Sequence, residues 1–374
     1  MGQLHTRAYR RLSDHFPRCE LKPRLVVAAD PADGTREIAE RLGYTGWTGD
    51  WREVIDHPDV EAVSITAPNF LHRDIAVAAA KAGKHIWLEK PCGRFPDETF
   101  EIGEAVEEAG VRSTIGLMYR HAPAVEYAKG IIASGELGEI THYRGYFLAD
   151  YSADPNGALT WRFREEYGGL GVLGDIMPHA ADMAQNLLGP IESVSAQRDT
   201  FIRERAEAPM GASHFSVSEG GEMGAVENED YASSLVKFEN GACGTLEASR
   251  VCVGPHVRMS FEVNGSRGAL YWDFGRLNEL TLYRAGEKEH GYKTVYAAPG
   301  MGDFAGFQPG AGISMGYDDL KVIEAERFLS SIADGRQREP GIREIASTMR
   351  AVAAMDRSCG TGRWETVGND GGGA

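Results

Sequence analysis

The chain has 374 residues, 42% of them hydrophobic and 25% charged, with a formal net charge of −16. That length suits two domains with sizeable cores, and the acidic balance disfavours nucleic acid and anionic membranes, both of which demand a basic face. No apolar stretch approaches the roughly 20 residues of a membrane span, and the first residues lack the charged-then-apolar pattern of a signal segment.

In chain order, a helix over 3–15 precedes the apolar run Leu25-Val26-Val27-Ala28-Ala29, which ends in Asp30. A helix at 34–42, a short Trp-containing stretch, a helix near 50–56 and the strand Ala62–Thr66 follow. Helix 71–82 closes with Gly83, the usual residue past a helix end. Strand His85–Leu88 runs into Glu89-Lys90-Pro91, and helix 96–109 and strand 112–116 finish the series. Short, nearly all-apolar strands separated by helices imply a parallel sheet buried on both faces, a Rossmann-type α/β domain over 1–117.

After residue 117 the texture changes. A helix at 121–134 leads to the alternating strand 140–148, and a further helix begins near Asp175. Strand patterns recur at 191–199, 231–238, 243–250, 256–263, 268–273, 279–284 and 292–296, with Asn240-Gly241 and Asn264-Gly265 as turn signals. Runs of strands with few helices imply an α+β domain over 118–365, built on a large, open, mainly antiparallel sheet. Segment 203–229 is expected to be a long surface loop. Helices at 318–333 and 342–356 close the fold, and 366–374 is expected to be a disordered tail. Five scattered cysteines without C-x-x-C spacing suit reduced thiols in a cytoplasm and give no zinc site.

Two stretches carry the chemistry. Glu89-Lys90-Pro91 and Gly171-Val172-Leu173-Gly174-Asp175-Ile176-Met177-Pro178-His179 together supply an amine, a carboxylate and an imidazole. Those groups suffice to take a proton from a hydroxyl while a nicotinamide takes the hydride. Lys90 follows a buried strand, at the carboxyl edge where parallel sheets bind ligands; the plainer alternative is a lysine reaching from a strand end to water. Asp175 and His179 are four apart, so one helix would put them on one face, against the alternative of a capping Asp and a solvated His. An Asp-x3-His pair could also ligate a metal, but no third ligand has supporting spacing, and none is assigned. Asp30 sits where an acidic residue binds a ribose 2′-hydroxyl and repels a 2′-phosphate, favouring NAD over NADP; the alternative is a turn residue before Pro31. A dinucleotide fold should open with a strand and G-x-G-x-x-G. This chain has neither, so its start is expected to fall within that loop, with the first strand missing; the alternative is a variant without the central strand, whose neighbours would carry unpaired backbone groups.

Asp30, Ala67-Pro68-Asn69 with His72, Ala82-Gly83-Lys84-His85, Glu89-Lys90-Pro91, Trp161-Arg162 and Gly174-Asp175-x3-His179 followed by Asp182 together resemble the Gfo/Idh/MocA oxidoreductase family over 1–365. The segments Asp150–Asn156 and Leu159–Phe163, with Gly316-Tyr317, look closest to its levoglucosan dehydrogenase and sugar C3-dehydrogenase subgroup. Two positions depart from the family pattern: Thr66 carries a hydroxyl one position early, and Met118 stands where relatives often have asparagine.

The resemblance implies that Lys90 binds the reacting hydroxyl, with the Lys90–Pro91 bond often cis, and that His179 is the second catalytic position. Asp175 would bind a neighbouring sugar hydroxyl. Asp30, Ala67, Pro68, Asn69, His72, Glu89 and Lys90 would contact the cofactor, with Trp161 and Arg162 closing over nicotinamide and substrate. Asp150 and Tyr317 would add sugar contacts. His5, His85 and His121 are read as structural. The expected activity is NAD-dependent oxidation of a secondary hydroxyl, at C3, of a sugar, anhydrosugar or cyclitol, in a homodimer or homotetramer joined through the open sheet face. The alternatives are an NAD-dependent glycosidase using transient C3 oxidation and a catalytically silent sugar-binding regulator.

Overall fold

The computed structural model describes residues 1–368 apart from 209–211, 213–215 and 218–219. Two compact units divide it: residues 1–93, 97–121 and 315–346 form one, and 94–96, 122–314 and 347 onward the other. Residues 315–346 thus pack with the N-terminal unit, outside the boundary at 117 read from the sequence. Among the described residues no helix is long and apolar enough to cross a membrane.

The first unit alternates helices and short strands: α1 (Gly2–His15), β1 (Val27–Ala29), α2 (Thr35–Leu42), β2 (Gly46–Thr48), α3 (Trp51–Asp56), β3 (Ala62–Ile65), α4 (Asn69–Lys81), β4 (His85–Leu88), α5 (Pro96–Ala109) and β5 (Ser113–Ile115). Every strand pairing is parallel. The Trp47 stretch, given no strand from sequence, is β2. The parallel strands do not form one sheet: β1 pairs with β2, while β3, β4 and β5 make a separate sheet. β1 and β3 are therefore both edge strands. Helix α1 runs against β3, where the Tyr9 hydroxyl meets Ser64 Oγ at 3.0 Å.

Trp87 of β4 sits at the centre of this unit, fully buried. The His5 ring stacks on it at 3.7 Å and Tyr9 meets it edge-on at 5.2 Å. The later helix Tyr317–Asp334 presents Lys321, Glu324 and Phe328 at helical spacing, one stripe turned inward. Lys321 Nζ donates to Glu324 Oε1 at 2.8 Å and to Glu89 Oε1 at 2.5 Å. Trp87 Nε1 donates to Glu324 Oε1 at 2.6 Å, and His5 Nε2 lies 2.9 Å from Glu89 Oε1. Both Lys321 and Glu324 are 0% exposed, so these charges must satisfy one another rather than water.

The second unit contains α6 (Pro123–Ala133), β6 (Ile140–Ala149), α7 (Glu165–Gly168), α8 (Val172–Asp175), α9 (Met177–Leu188), β7 (Ile191–Asp199), β8 (Glu204–Ala206), β9 (Met223–Ala225), β10 (Tyr231–Phe238), β11 (Cys243–Ser249), β12 (Val257–Gly265), β13 (Gly268–Asp273), β14 (Glu279–Arg284), β15 (Lys293–Tyr296) and β16 (Glu365–Thr366). Nine strands form one sheet in the order β15-β14-β13-β12-β6-β11-β10-β7-β16, antiparallel except where β6 runs parallel to β11. Register aligns Val194, Val236, Gly244, Tyr143, Val263 and Leu270 across it, a row that is buried apart from half-buried Gly244. Gly145 makes room for the Tyr143 ring, since a Cβ there would fall 2.7 Å from it. Helix α9 packs on β6 and β11. On the opposite pleat Leu235, Thr245 and Arg144 align in an exposed row.

Two expectations are corrected here. Segment 203–229 is not a plain surface loop: β8 and β9 pair within it, and Arg205, Asn228 and Glu229 are buried, because its polar side chains find backbone partners inside the unit. The terminal segment does not become disordered at 366, since β16 pairs with β7 and the Val367 amide donates to the Glu192 carbonyl. The rest of that tail, 369–374, lies outside the described residues.

Replacing Lys321 with methionine would strand two buried carboxylates. Breaking a buried pair in this way costs about 3–5 kcal/mol, so K321M is expected to lower the urea midpoint of the first unit's unfolding sharply. An unchanged midpoint would contradict this description of the core.

Candidate active site

In the first unit the strands deliver polar residues at their carboxyl ends: Asp30 after β1, Thr66-Ala67-Pro68 after β3 and Glu89-Lys90 after β4. That edge is where open α/β sheets bind ligands, because the loops there are free of the ladder. Asp30 is exposed, and its Oδ1 accepts the Ala32 amide at 2.9 Å, which fixes the carboxylate at the strand end. Asn69 and His72 are buried in the first turn of α4. His72 Nδ1 lies 2.7 Å from the Pro91 carbonyl oxygen and Nε2 lies 2.7 Å from that of Ala67. One ring therefore ties the Ala67-Pro68-Asn69 turn to the Lys90–Pro91 corner, whose peptide bond is cis. Lys90 is half-buried, and Tyr317 begins the 317–334 helix.

Glu89 was assigned to the cofactor from sequence, but its Oε1 is taken by Lys321 and His5 in the interior. Gly116, just past β5, is packed against the same carboxylate: a Cβ there would fall 2.6 Å from Glu89 Oε2. Burial alone would raise the Glu89 carboxyl, yet the Lys321 ammonium and the His5 hydrogen bond outweigh it and hold the group well below the usual range. Burial pushes Glu324 up to about 7 and pushes His5 down to about 4. His5, Glu89 and Glu324 approach closely enough to suggest metal ligands, but the Lys321 ammonium bonded to both carboxylates supplies the cation.

The exposed Asp30 carboxylate, at a strand end of an NAD-binding type of sheet, has the chemistry to accept from ribose hydroxyls.

In the second unit Asp175 and His179 do not share one helix, as four-residue spacing suggested. Asp175 ends α8 and His179 lies in the first turn of α9, with Ile176 at φ −109° between them. Pro178 explains the break, since it has no amide hydrogen with which to continue the ladder. Asp175 is half-buried and accepts from the Tyr151 hydroxyl at 3.3 Å. Burial first, and the Asp175 charge second, push the Tyr151 phenol well up, so it remains an O–H donor. His179 is 5% exposed, with its ring 5.2 Å from that of Phe147. The Arg162 guanidinium lies over the Trp161 ring at 4.3 Å, a cation–π pair in one turn. Asp150 Oδ2 lies 2.8 Å from His256 Nδ1.

The approach to Asp175 depends on close backbone packing. Gly169 has φ +70°, and a Cβ there would fall 2.1 Å from the Arg94 carbonyl oxygen. At Gly171 a Cβ would fall 2.1 Å from the Glu229 carbonyl oxygen, which accepts the Val172 amide at 3.1 Å. Glu229 Oε1 also accepts the Leu173 amide at 2.8 Å, satisfying the start of α8. Sequence reading missed Tyr151, Glu229 and Lys321. For Tyr151 its neighbour Asp150 was a signal; for the other two no local pattern exists, because their partners are distant in sequence.

Residues 1–117 match the oxidoreductase family with an NAD-binding Rossmann fold, and residues 125–271 match the GFO/IDH/MocA C-terminal domain. A levoglucosan dehydrogenase of Pseudarthrobacter phenanthrenivorans is 38% identical over 98% of this chain and 95% of its own. A scyllo-inositol 2-dehydrogenase (NAD(+)) of Bacillus subtilis is 28% identical over 87% of this chain and 83% of its own. A solved levoglucosan dehydrogenase in complex with NADH and levoglucosan superimposes with a TM-score of 0.91 at 34% identity, covering 98% of this chain and 96% of that one.

The raised Glu324 carboxyl has a pH signature. A carboxyl whose folded pKa lies above its unfolded value loses its stabilising contribution as pH rises through the folded pKa. With that value at about 7, the loss runs from the ordinary carboxylate range up to about pH 7. E324Q does not titrate, so its Tm relative to the parent is expected to climb over that window and level off above it. A constant difference across the window would show that Glu324 is ordinary.

Proposed function

The chain belongs to the GFO/IDH/MocA family of NAD-dependent oxidoreductases, and on that premise we propose that it oxidises a secondary hydroxyl, at C3, of a sugar, anhydrosugar or cyclitol. The observation carrying this reading is similarity over 98% of the chain to a levoglucosan dehydrogenase, in a chain that has Lys90, Asp175 and His179. NAD, when bound, supplies the hydride acceptor.

Lys90 polarises the hydroxyl oxygen as its proton leaves, a role suited to an ammonium at a strand end. A ring nitrogen of His179 takes that proton, since imidazole is the side chain poised to do so near neutral pH. Asp175 accepts a hydrogen bond from a neighbouring hydroxyl and so selects the carbon that faces the acceptor. Trp161 and Arg162, with Asp150 and Tyr317, complete the sugar contacts. Ala67, Pro68, Asn69 and His72 line the cofactor edge, with His72 bracing it. Asp30 pairs with a ribose 2′-hydroxyl and repels a 2′-phosphate, so NAD is preferred to NADP. The exposed sheet row through Leu235, Thr245 and Arg144 is the face through which subunits associate.

The test is NADH formation from levoglucosan, glucose and myo-inositol, with K90M and H179N beside the parent. Loss of a positioned acid–base group costs roughly 10²–10⁴-fold in rate, so both variants should fall by that order with little change in Tm. Undiminished turnover in either removes it from the mechanism.

A further inference from the structure

Arg205 is 0% exposed, and among the described residues no carboxylate lies within ion-pair distance of it. The two Nη atoms of its fork end on backbone carbonyls instead, while Nε has no hydrogen-bond partner among the described residues. Nη1 donates to Asp154 O at 2.8 Å and Gly157 O at 3.2 Å, and Nη2 donates to Ser152 O. The guanidinium lies 4.5 Å above the Phe163 ring, over which the Arg250 guanidinium also lies, at 4.6 Å. Gly157 is shaped to this contact, because a Cβ there would fall 2.6 Å from Nη1.

A buried cation is expensive unless its hydrogen bonds are well made. Here the bonds go to one turn, 152–157, and they come from a planar fork that lysine cannot imitate. The residue immediately before this turn is Tyr151, whose hydroxyl meets Asp175 Oδ2. Asn228 Nδ2 bonds the Arg162 and Gly169 carbonyls, and Asn228 itself accepts from Arg250.

We propose that Arg205 is a positioning residue for the Asp175 carboxylate: by holding the 152–157 turn it sets the Tyr151 hydroxyl against Oδ2 and fixes the orientation in which Asp175 meets a sugar hydroxyl. This rests on the reading of Asp175 as a sugar ligand. It also assigns a role to β8, which pairs with β9 and, through the Ala206 carbonyl, accepts the Leu159 amide at 2.7 Å.

The experiment is calorimetric titration of the full chain with levoglucosan across pH, for the parent, Y151F, R205K, G157A, Y151F/R205K and D175N. A hydrogen bond to a carboxylate lowers its pKa, so losing the Tyr151 hydroxyl should move the acid limb of sugar affinity upward. R205K, and G157A by displacing the guanidinium without removing it, should move the limb the same way and weaken binding about tenfold. The double variant should lose no more than the worse single, since residues acting through one contact are not additive. A purely structural Arg205 would lower Tm while leaving affinity and the acid limb of the folded protein unchanged, and that result overturns the proposal, as does full additivity. If R205K does not fold, G157A decides by the same readouts. Unchanged affinity in D175N, or no binding by the parent, overturns instead the site reading on which the inference stands.

Discussion

One ammonium group holds the first unit's interior together. Lys321 Nζ stands between Glu89, at the end of β4, and Glu324, one turn further along its own helix. Without it, two carboxylates would face each other in a space closed to water. With it, Glu89 stays ionised and oriented, and the residue after it, Lys90, leaves the strand from a fixed point. The His5 ring and the Trp87 indole N–H complete the set, so α1, β4 and the 317–334 helix meet on a few polar atoms. Such a cluster is weak as a source of net stability, because desolvation consumes most of the Coulombic gain. Its value lies in allowing one arrangement of those elements and not others.

The second unit applies the same logic with arginine. Arg250 pairs with buried Asp230 at 2.7 Å, and Arg205 grips a turn through carbonyls alone, both guanidiniums over Phe163. The sheet beneath is an ordinary alternating core, whereas the segments carrying Tyr151, Arg162 and Asp175 are short turns and broken helices. Those segments have little apolar surface to bury, so polar side chains from 203–229 hold them. His72 does comparable work in the first unit with one ring between two carbonyls.

Much of this was legible in the sequence, and the exceptions share a cause. Periodicity placed β10, β13 and β14 at their observed bounds and marked most helices to within a residue or two. Residue order placed Asp30 and Lys90 just past strand ends and a helix near Asp175. Spacing failed at Ile176, where a proline two residues later divides a helix that its hydrophobic pattern would continue. The loop reading of 203–229 failed because a segment rich in Gly, Glu and Ser gave no period, while its burial depends on partners some fifty residues away, such as Ser152 for Arg205. Glu89 misled for the same reason, its partner Lys321 lying 232 positions along the chain. The split between β1–β2 and β3–β5 was likewise invisible in strand patterns, which reveal strands but not their order.

The central claim is that hydride leaves one carbon of a sugar for NAD. It is tested most directly with levoglucosan deuterated at C3, by mass spectrometry of the reduced cofactor. The account predicts NADH carrying the deuterium and a 3-keto product in equal amount. Unlabelled NADH would mean that another carbon is oxidised. Turnover of the sugar with no accumulation of NADH would contradict a net dehydrogenase outright.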